Sequence, residues 1–262
     1  MYKEKITRGS RPLILVTNDD GINARGIKTL AEFLMPLGDV VVVAPDGARS
    51  GQSAAITVKE PLRMAMVENR EGYKALKTTG TPVDCVKLAL NVLFADRPDL
   101  VVSGINHGSN SGVSVMYSGT MGAVFEGVVN GIPSIGFSLC SFDADADFSI
   151  CSEVVETLCS RALKNGMPEG MGLNVNIPST KHLAGMKVCR AARGRWTAEY
   201  DSRIDPMGRP YYWLTGYFDN AEPDAPDTDE YVMAHNYASV VPVTPDRSLS
   251  EIDPRVVEWM AL

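Results

Sequence analysis

Leu13-Ile14-Leu15-Val16-Thr17-Asn18-Asp19-Asp20-Gly21 is the stretch whose reading decides the fold. Four consecutive apolar residues suit a strand covered on both faces, as in a parallel sheet. Gly21 then permits the tight turn into a helical pattern, in which Ile27, Leu30, Ala31 and Leu34 recur at i, i+3, i+4 and i+7. Asp19 and Asp20 sit between strand and helix, where two like charges repel unless something cationic relieves them. In open α/β sheets the crevice at the carboxyl ends of the strands is where ligands bind. The first strand therefore already places half of a metal site.

Outward from this unit the pattern repeats. Leu13–Val16, Val40–Ala44, Leu100–Ser103, Ser134–Leu139 and Leu173–Ile177 read as strands. A second helix opens at Thr81-Pro82, a cap residue followed by proline at the first helical position, and shows Val83, Val86, Leu90 and Leu93 on one face. Met121, Val124, Phe125 and Val128 make a third helix, closed by Gly131. Cys151, Val154, Val155, Leu158 and Ala162 make a fourth, closed by Gly166. Alternating strands and helices imply a mostly parallel sheet with helices on both faces. The expected fold class is α/β, a Rossmann-like three-layer sandwich, with a C-terminal antiparallel β extension.

Three segments are expected: a loose N-terminal tail (1–12), an α/β catalytic domain (13–185) and a C-terminal β-hairpin and tail (186–262). Within the second, residues 54–79 interrupt the alternation, and Ile56-Thr57-Val58 and Leu62–Val67 look like extra strands. Within the third, Met186–Cys189, Trp196–Tyr200, Tyr211–Leu214 and Tyr237–Val243 are short aromatic or β-branched runs between turns, which suits antiparallel structure. So aromatic a hairpin packs on a partner subunit or on its own sheet. The acidic loop Asp219–Glu230 reads as a solvated surface segment.

At 262 residues the chain can bury a large core, and 45% hydrophobic with 22% charged residues is ordinary soluble composition. A net charge of −7 argues against nucleic-acid and membrane-surface binding, which need a basic face. No apolar stretch has the length of a membrane span, and residues 1–12 lack the apolar core of a secretory signal. The expected location is the cytoplasm. Five cysteines without Cys-x-x-Cys spacing read as buried thiols in a reducing compartment.

Three more polar loops follow strands: Pro45 to Ser53, Gly104 to Asn110, and Met116 to Thr120 before the third helix. In a parallel sheet all converge on the edge that carries Asp19 and Asp20. Carboxylate, hydroxyl and amide oxygens suit Mg²⁺ or Mn²⁺ rather than zinc. Gly104, Gly108, Gly119 and Gly122 admit close approach of backbone to a ligand. Ser118, Gly119 and Thr120 stand at a helix N-terminus, which is an anion site, although capping alone accounts for Ser118 and Thr120. Other sites fail on particular residues. A dinucleotide turn needs Gly-x-Gly-x-x-Gly where this chain has Asp19-Asp20-Gly21, and no P-loop Gly-Lys-Ser/Thr is present. A receiver domain needs an aspartate where Ser103, Gly104 and Asn106 stand, and no Gly-x-Ser-x-Gly supports an acyl-transfer serine.

Asn18-Asp19-Asp20-Gly21 running to Ala24-Arg25-Gly26-Ile27 resembles the signature of the SurE (survival protein E) nucleotidase family. So do Ala44-Pro45-Asp46 with Ser50-Gly51, Gly80-Thr81-Pro82-Val83-Asp84-Cys85-Val86, Ser103 through Asn110, and Tyr117-Ser118-Gly119-Thr120. Arg209-Pro210-Tyr211-Tyr212-Trp213, Thr228-Asp229 and Tyr237-Ala238-Ser239-Val240 are similar to its C-terminal part, so the likeness runs from about Leu13 to about Pro242. One departure is His235-Asn236, where the family usually has a glycine. The resemblance implies a phosphatase for nucleoside 5′- and 3′-monophosphates, with polyphosphate as a further substrate in some members. It implies one divalent metal per subunit on Asp19, Asp20, Ser50 and Asn106. Catalysis would fall to Asp19, Asp20 and Asn106, and phosphate would be held by Asn106, Ser118, Gly119 and Thr120. It further implies a dimer or tetramer that exchanges the C-terminal β segment.

The expected mechanism is in-line attack by a metal-activated water on the phosphorus. His107 is the imidazole beside the pocket, either a general acid or an exposed loop residue. His182 and His235 read as structural. A non-catalytic nucleotide- or phosphate-binding module on the same fold is the alternative, because fold alone does not prove activity.

Overall fold

The structure, a computed structural model, describes residues 5–248 and 253–260. In chain order it holds β1 (Leu13–Thr17), α1 (Arg25–Leu34), β2 (Asp39–Pro45), β3 (Met64–Arg70), β4 (Tyr73–Thr78), α2 (Pro82–Leu88), β5 (Leu100–His107), α3 (Gly119–Val129), β6 (Ser134–Cys140), α4 (Ser152–Asn165) and β7 (Gly172–Pro178). Then come β8 (Met186–Val188), β9 (Gly194–Thr197), β10 (Tyr200–Ile204), β11 (Pro210–Leu214), β12 (Tyr217–Asn220), α5 (Asp229–Ala234), β13 (Ala238–Val243) and α6 (Pro254–Trp259).

Nine strands form one sheet in the order β3-β4-β2-β1-β5-β6-β7-β13-β8. From β4 to β7 every pairing is parallel. β1 shows why its sequence is continuously apolar. Ile14 and Val16 face one core with Ile27 and Leu30 of α1 and Val155 and Cys159 of α4. Leu13 and Leu15 face the other core, with Cys85 and Val86 of α2 and Ala123 of α3. Strand burial on both faces thus gives three layers. The chain leaves β1 for β2 on one side and returns to β5 on the other, so the switch point lies between β1 and β5.

All five expected strands and four expected helices form in the main body. β5 continues beyond Ser103, because its pairing with β6 resumes at Asn106↔Ser138 after an irregularity. Around residues 54–79 one expected strand fails, and the other, Leu62–Val67, forms as β3 from Met64. Ile56–Val58 is not a strand. Thr57 is held instead by Asp84, which accepts from its amide at 3.2 Å and from its hydroxyl at 2.6 Å. The added strands are β3 and β4, an antiparallel pair that reaches the sheet through β4 alongside β2.

The segment after 186 serves two structures. β13 runs antiparallel to β7 and parallel to β8, so both extend the main sheet. β9 with β12 and β10 with β11 form two small antiparallel ladders. The run Trp196–Tyr200 is broken at Ala198, whose φ of 51° turns the chain out of one ladder toward the other. Asn236 has a φ of 60°, the left-handed position that a glycine usually takes after a helix, and asparagine tolerates it.

The acidic loop is more than a solvated segment. Arg190 pairs with Glu222 and Asp227. Asp229 is fully buried and accepts from the amides of Gly112 and Ala192, each at 2.8 Å. The described part of the N-terminal tail is likewise tied down. Ile6 bridges to Phe94, and Arg8 pairs with Asp99 at 3.0 Å.

Candidate active site

Asn18 closes the turn that sets the acidic pair. Its amide group exchanges hydrogen bonds with the backbone of Gly21, both at 3.1 Å. Gly21 has a φ of 97°, and an added Cβ would stand 3.0 Å from the Gly47 backbone. That conformation and that contact together require glycine.

Asp19 is buried (3% exposed), and its Oδ1 accepts from the Thr120 hydroxyl at 2.6 Å. Burial raises its carboxyl to about 6, the Thr120 hydroxyl opposes the rise, and the neighbouring charge of Asp20 adds to it. Asp20 is half-buried, and its carboxyl is also raised by burial, partly offset by the amide and ring of His107. Its Oδ2 is enclosed and finds no hydrogen-bond partner among the described residues. A buried acceptor in that state is costly unless a ligand meets it.

Asn106 is the penultimate residue of β5, next to β1 in the sheet. Its Nδ2 donates to the carbonyls of His107 at 3.0 Å and Gly108 at 2.9 Å. Oδ1 is therefore the atom left to serve a ligand. Ser50 lies in an exposed turn after β2. That turn abuts the acidic pair, because the Arg49 amide donates to the Asp19 carbonyl at 2.7 Å. It also meets the loop before α3, where Ser53 donates from its amide to the Tyr117 carbonyl at 3.1 Å and from its hydroxyl to that of Met116 at 2.6 Å.

Ser118 caps α3, accepting from the Met121 amide at 3.1 Å, and the Thr120 hydroxyl is committed to Asp19. Both side chains are thus occupied within the protein, and the anion-binding capacity of this terminus lies in the backbone amides of its first turn. Gly119 lies against Asp19: an added Cβ would stand 2.8 Å from the Asp19 Cβ and 3.0 Å from its Oδ2. Gly104 and Gly122 permit other close approaches, to Phe137 and Ser53 respectively. His107 is half-buried, with Phe148 edge-on at 5.0 Å. His182 lies in a bend remote in sequence from these loops, and His235 stacks on Tyr231 at the end of α5.

Sequence reasoning missed the scaffold beneath the loop after β5. Asn176 Oδ1 accepts from the Asn110 amide at 2.7 Å, and Asn174 donates to the Asn110 carbonyl at 2.8 Å. Asn110 in turn donates to the Ser138 hydroxyl at 2.8 Å. Two asparagines in the apolar run Gly172–Pro178 were the available signal, since buried amides require partners. Among the described residues no three His, Cys, Asp or Glu side chains gather as a metal cage.

Fold and site together define a doubly wound α/β protein whose ligand crevice combines paired carboxylates, an amide oxygen and a helix N-terminus. The family model for survival protein SurE matches residues 14–198. The chain is 48% identical to the 5′-nucleotidase SurE of Phocaeicola vulgatus, over 94% of this chain and 93% of that protein. It is 50% identical to the 5′-nucleotidase SurE of Cytophaga hutchinsonii, over 93% and 95%. The crystal structure of the SurE protein from Aquifex aeolicus superposes with a TM-score of 0.82 at 36% identity, covering 95% of this chain and all of that one. The chain belongs to the SurE family.

Proposed function

We propose that this protein is a phosphomonoesterase that hydrolyses nucleoside 5′-monophosphates to nucleoside and phosphate, and 3′-monophosphates as a second class. The observation that carries this is Asp20 Oδ2, an enclosed carboxylate oxygen without a partner among the described residues, beside a second carboxylate raised by burial. Such a pair is poised for a cation, and the first turn of α3 next to it is poised for an anion. Close relatives bearing the name 5′-nucleotidase support the same reading.

The residues fit a hard divalent cation, since every available donor is oxygen: Asp19, Asp20, Ser50 and Asn106. Mg²⁺ or Mn²⁺ held there would supply charge neutralisation to the phosphate and acidify an attacking water. The protein's own groups do the rest. The amides of Gly119 and Thr120 hold the phosphoryl oxygens, with Ser118 fixing the helix end that presents them, while Asn106, whose Nδ2 is committed to the His107 and Gly108 carbonyls, turns its Oδ1 to the cation. Thr120 keeps Asp19 in one orientation through its hydroxyl. His107, adjacent to Asp20, gives the departing nucleoside oxygen its proton.

The cytoplasm suits this substrate class and the free thiols of all five cysteines, and among the described residues no helix is long and apolar enough to cross a membrane. Self-association is proposed through the projecting β10–β11 ladder, where Tyr200, Ile204, Tyr212, Trp213 and Leu214 are all exposed.

Phosphate release from adenosine 5′-monophosphate, measured with Mg²⁺ or Mn²⁺ and then with EDTA, tests the proposal. EDTA-sensitive release is expected. Nucleotide binding without release under any divalent cation would favour a binding module.

A further inference from the structure

Phe142 is a large apolar side chain that no core explains. It follows β6 at the carboxyl edge of the sheet, the edge that carries Asp19, Asp20 and Asn106. It is 87% exposed, so its packing within the chain stabilises little. Yet its position is fixed. The Gly108 amide donates to the carbonyls of Leu139 at 2.9 Å and Ser141 at 3.0 Å, and the Asp143 amide donates to the Ser141 hydroxyl at 3.2 Å. The segment before Phe142 is thereby held to the loop that follows Asn106, and the residue after it is tied back to Ser141.

The ring lies directly on Gly108. An added Cβ at Gly108 would stand 2.4 Å from Phe142 Cε1 and 2.6 Å from Cζ. The Gly108 carbonyl also accepts from Asn106 Nδ2 at 2.9 Å. An exposed aromatic face thus lies on the residue whose carbonyl fixes the Asn106 side chain at the site. We propose that Phe142 is the stacking platform for the nucleobase of the nucleoside monophosphate, and so a specificity-determining residue. This rests on the nucleotidase reading above. Every base has a π-face, so such a platform favours nucleotides over base-free phosphomonoesters while discriminating weakly among bases. Tyr117, also exposed, directly precedes the phosphate loop, and its carbonyl accepts from the Ser53 amide.

The test is steady-state hydrolysis of adenosine 5′-monophosphate and of ribose 5-phosphate by wild type, Phe142→Ala, Phe142→Trp and Tyr117→Ala. Equilibrium binding of the nucleotide is measured in parallel. Phe142→Ala is expected to raise KM for the nucleotide roughly tenfold, from the usual worth of one base–aromatic stack, with kcat held. KM for ribose 5-phosphate should not move, and Phe142→Trp should restore nucleotide affinity. Equal KM changes for both substrates, no change for either, or a base-dependent loss in Tyr117→Ala alone would overturn the platform while leaving the nucleotidase reading intact. Wild type that releases phosphate from neither substrate and does not bind the nucleotide would remove both.

Discussion

Replacing Asp19 with Asn should stabilise the metal-free protein while abolishing its activity. Asp19 is nearly inaccessible and its carboxyl is raised from 3.8 to about 6, chiefly by burial. In the unfolded chain it ionises near 4, so between about pH 4 and pH 6 the folded state holds more protons than the unfolded state. Stability contributed by this site therefore falls as pH rises through that window. Above it, the folded protein carries the full cost of an enclosed carboxylate, about 3 kcal/mol for a shift of this size. Asn removes that cost, retains an Oδ1 to accept from Thr120, and relieves the like-charge repulsion on Asp20. Urea denaturation in EDTA should find Asp19→Asn about 3 kcal/mol more stable than wild type at pH 8, and equal to it below about pH 4. Added Mg²⁺ or Mn²⁺ should stabilise wild type and not the variant. A variant less stable than wild type at pH 8, or a difference that does not vary with pH, would refute the reasoning.

Three further outcomes follow from the same geometry. Gly119→Ala drives a Cβ to 2.8 Å from that of Asp19 and should lower kcat/KM for nucleotide by about 10- to 100-fold, with about 1–3 kcal/mol lost from the fold; activity near wild type would contradict the close packing. Asp84 completes the capping box of α2 and holds Thr57, so Asp84→Ala should cost about 2–4 kcal/mol in urea denaturation, and a loss below about 1 kcal/mol would show that these bonds are not needed. His107→Ala should lower kcat for adenosine 5′-monophosphate by about 100-fold or more while sparing p-nitrophenyl phosphate, whose leaving group needs no proton; equal losses on both would remove the general-acid role.

The parallel body was legible because its strands are buried on both faces and its helices keep their period. Leu13–Val16 shows both cores in four letters, and Thr81-Pro82 marks its helix by the cap that forms. What local pattern cannot carry is long-range pairing. Ile56–Val58 has a strand's composition, yet Asp84, distant in sequence, holds it as a loop. β8 and β13 look like parts of a separate hairpin but complete the main sheet. At the site, the sequence brings Asp19, Asp20, Asn106 and the start of α3 to one edge. It does not reveal that Thr120 spends its hydroxyl on Asp19, or that Asn174 and Asn176 support the loop from below. Those assignments depend on which acceptor each side chain reaches, and only the packed arrangement decides that.

The central claim, that the carboxylate pair at the switch point holds a divalent cation, is tested most directly by calorimetric titration of Mn²⁺ into metal-free wild type and Asp20→Asn. One ion per chain is expected for wild type, with binding lost in a variant that remains folded. Binding of equal strength in Asp20→Asn, or none in wild type, would contradict it.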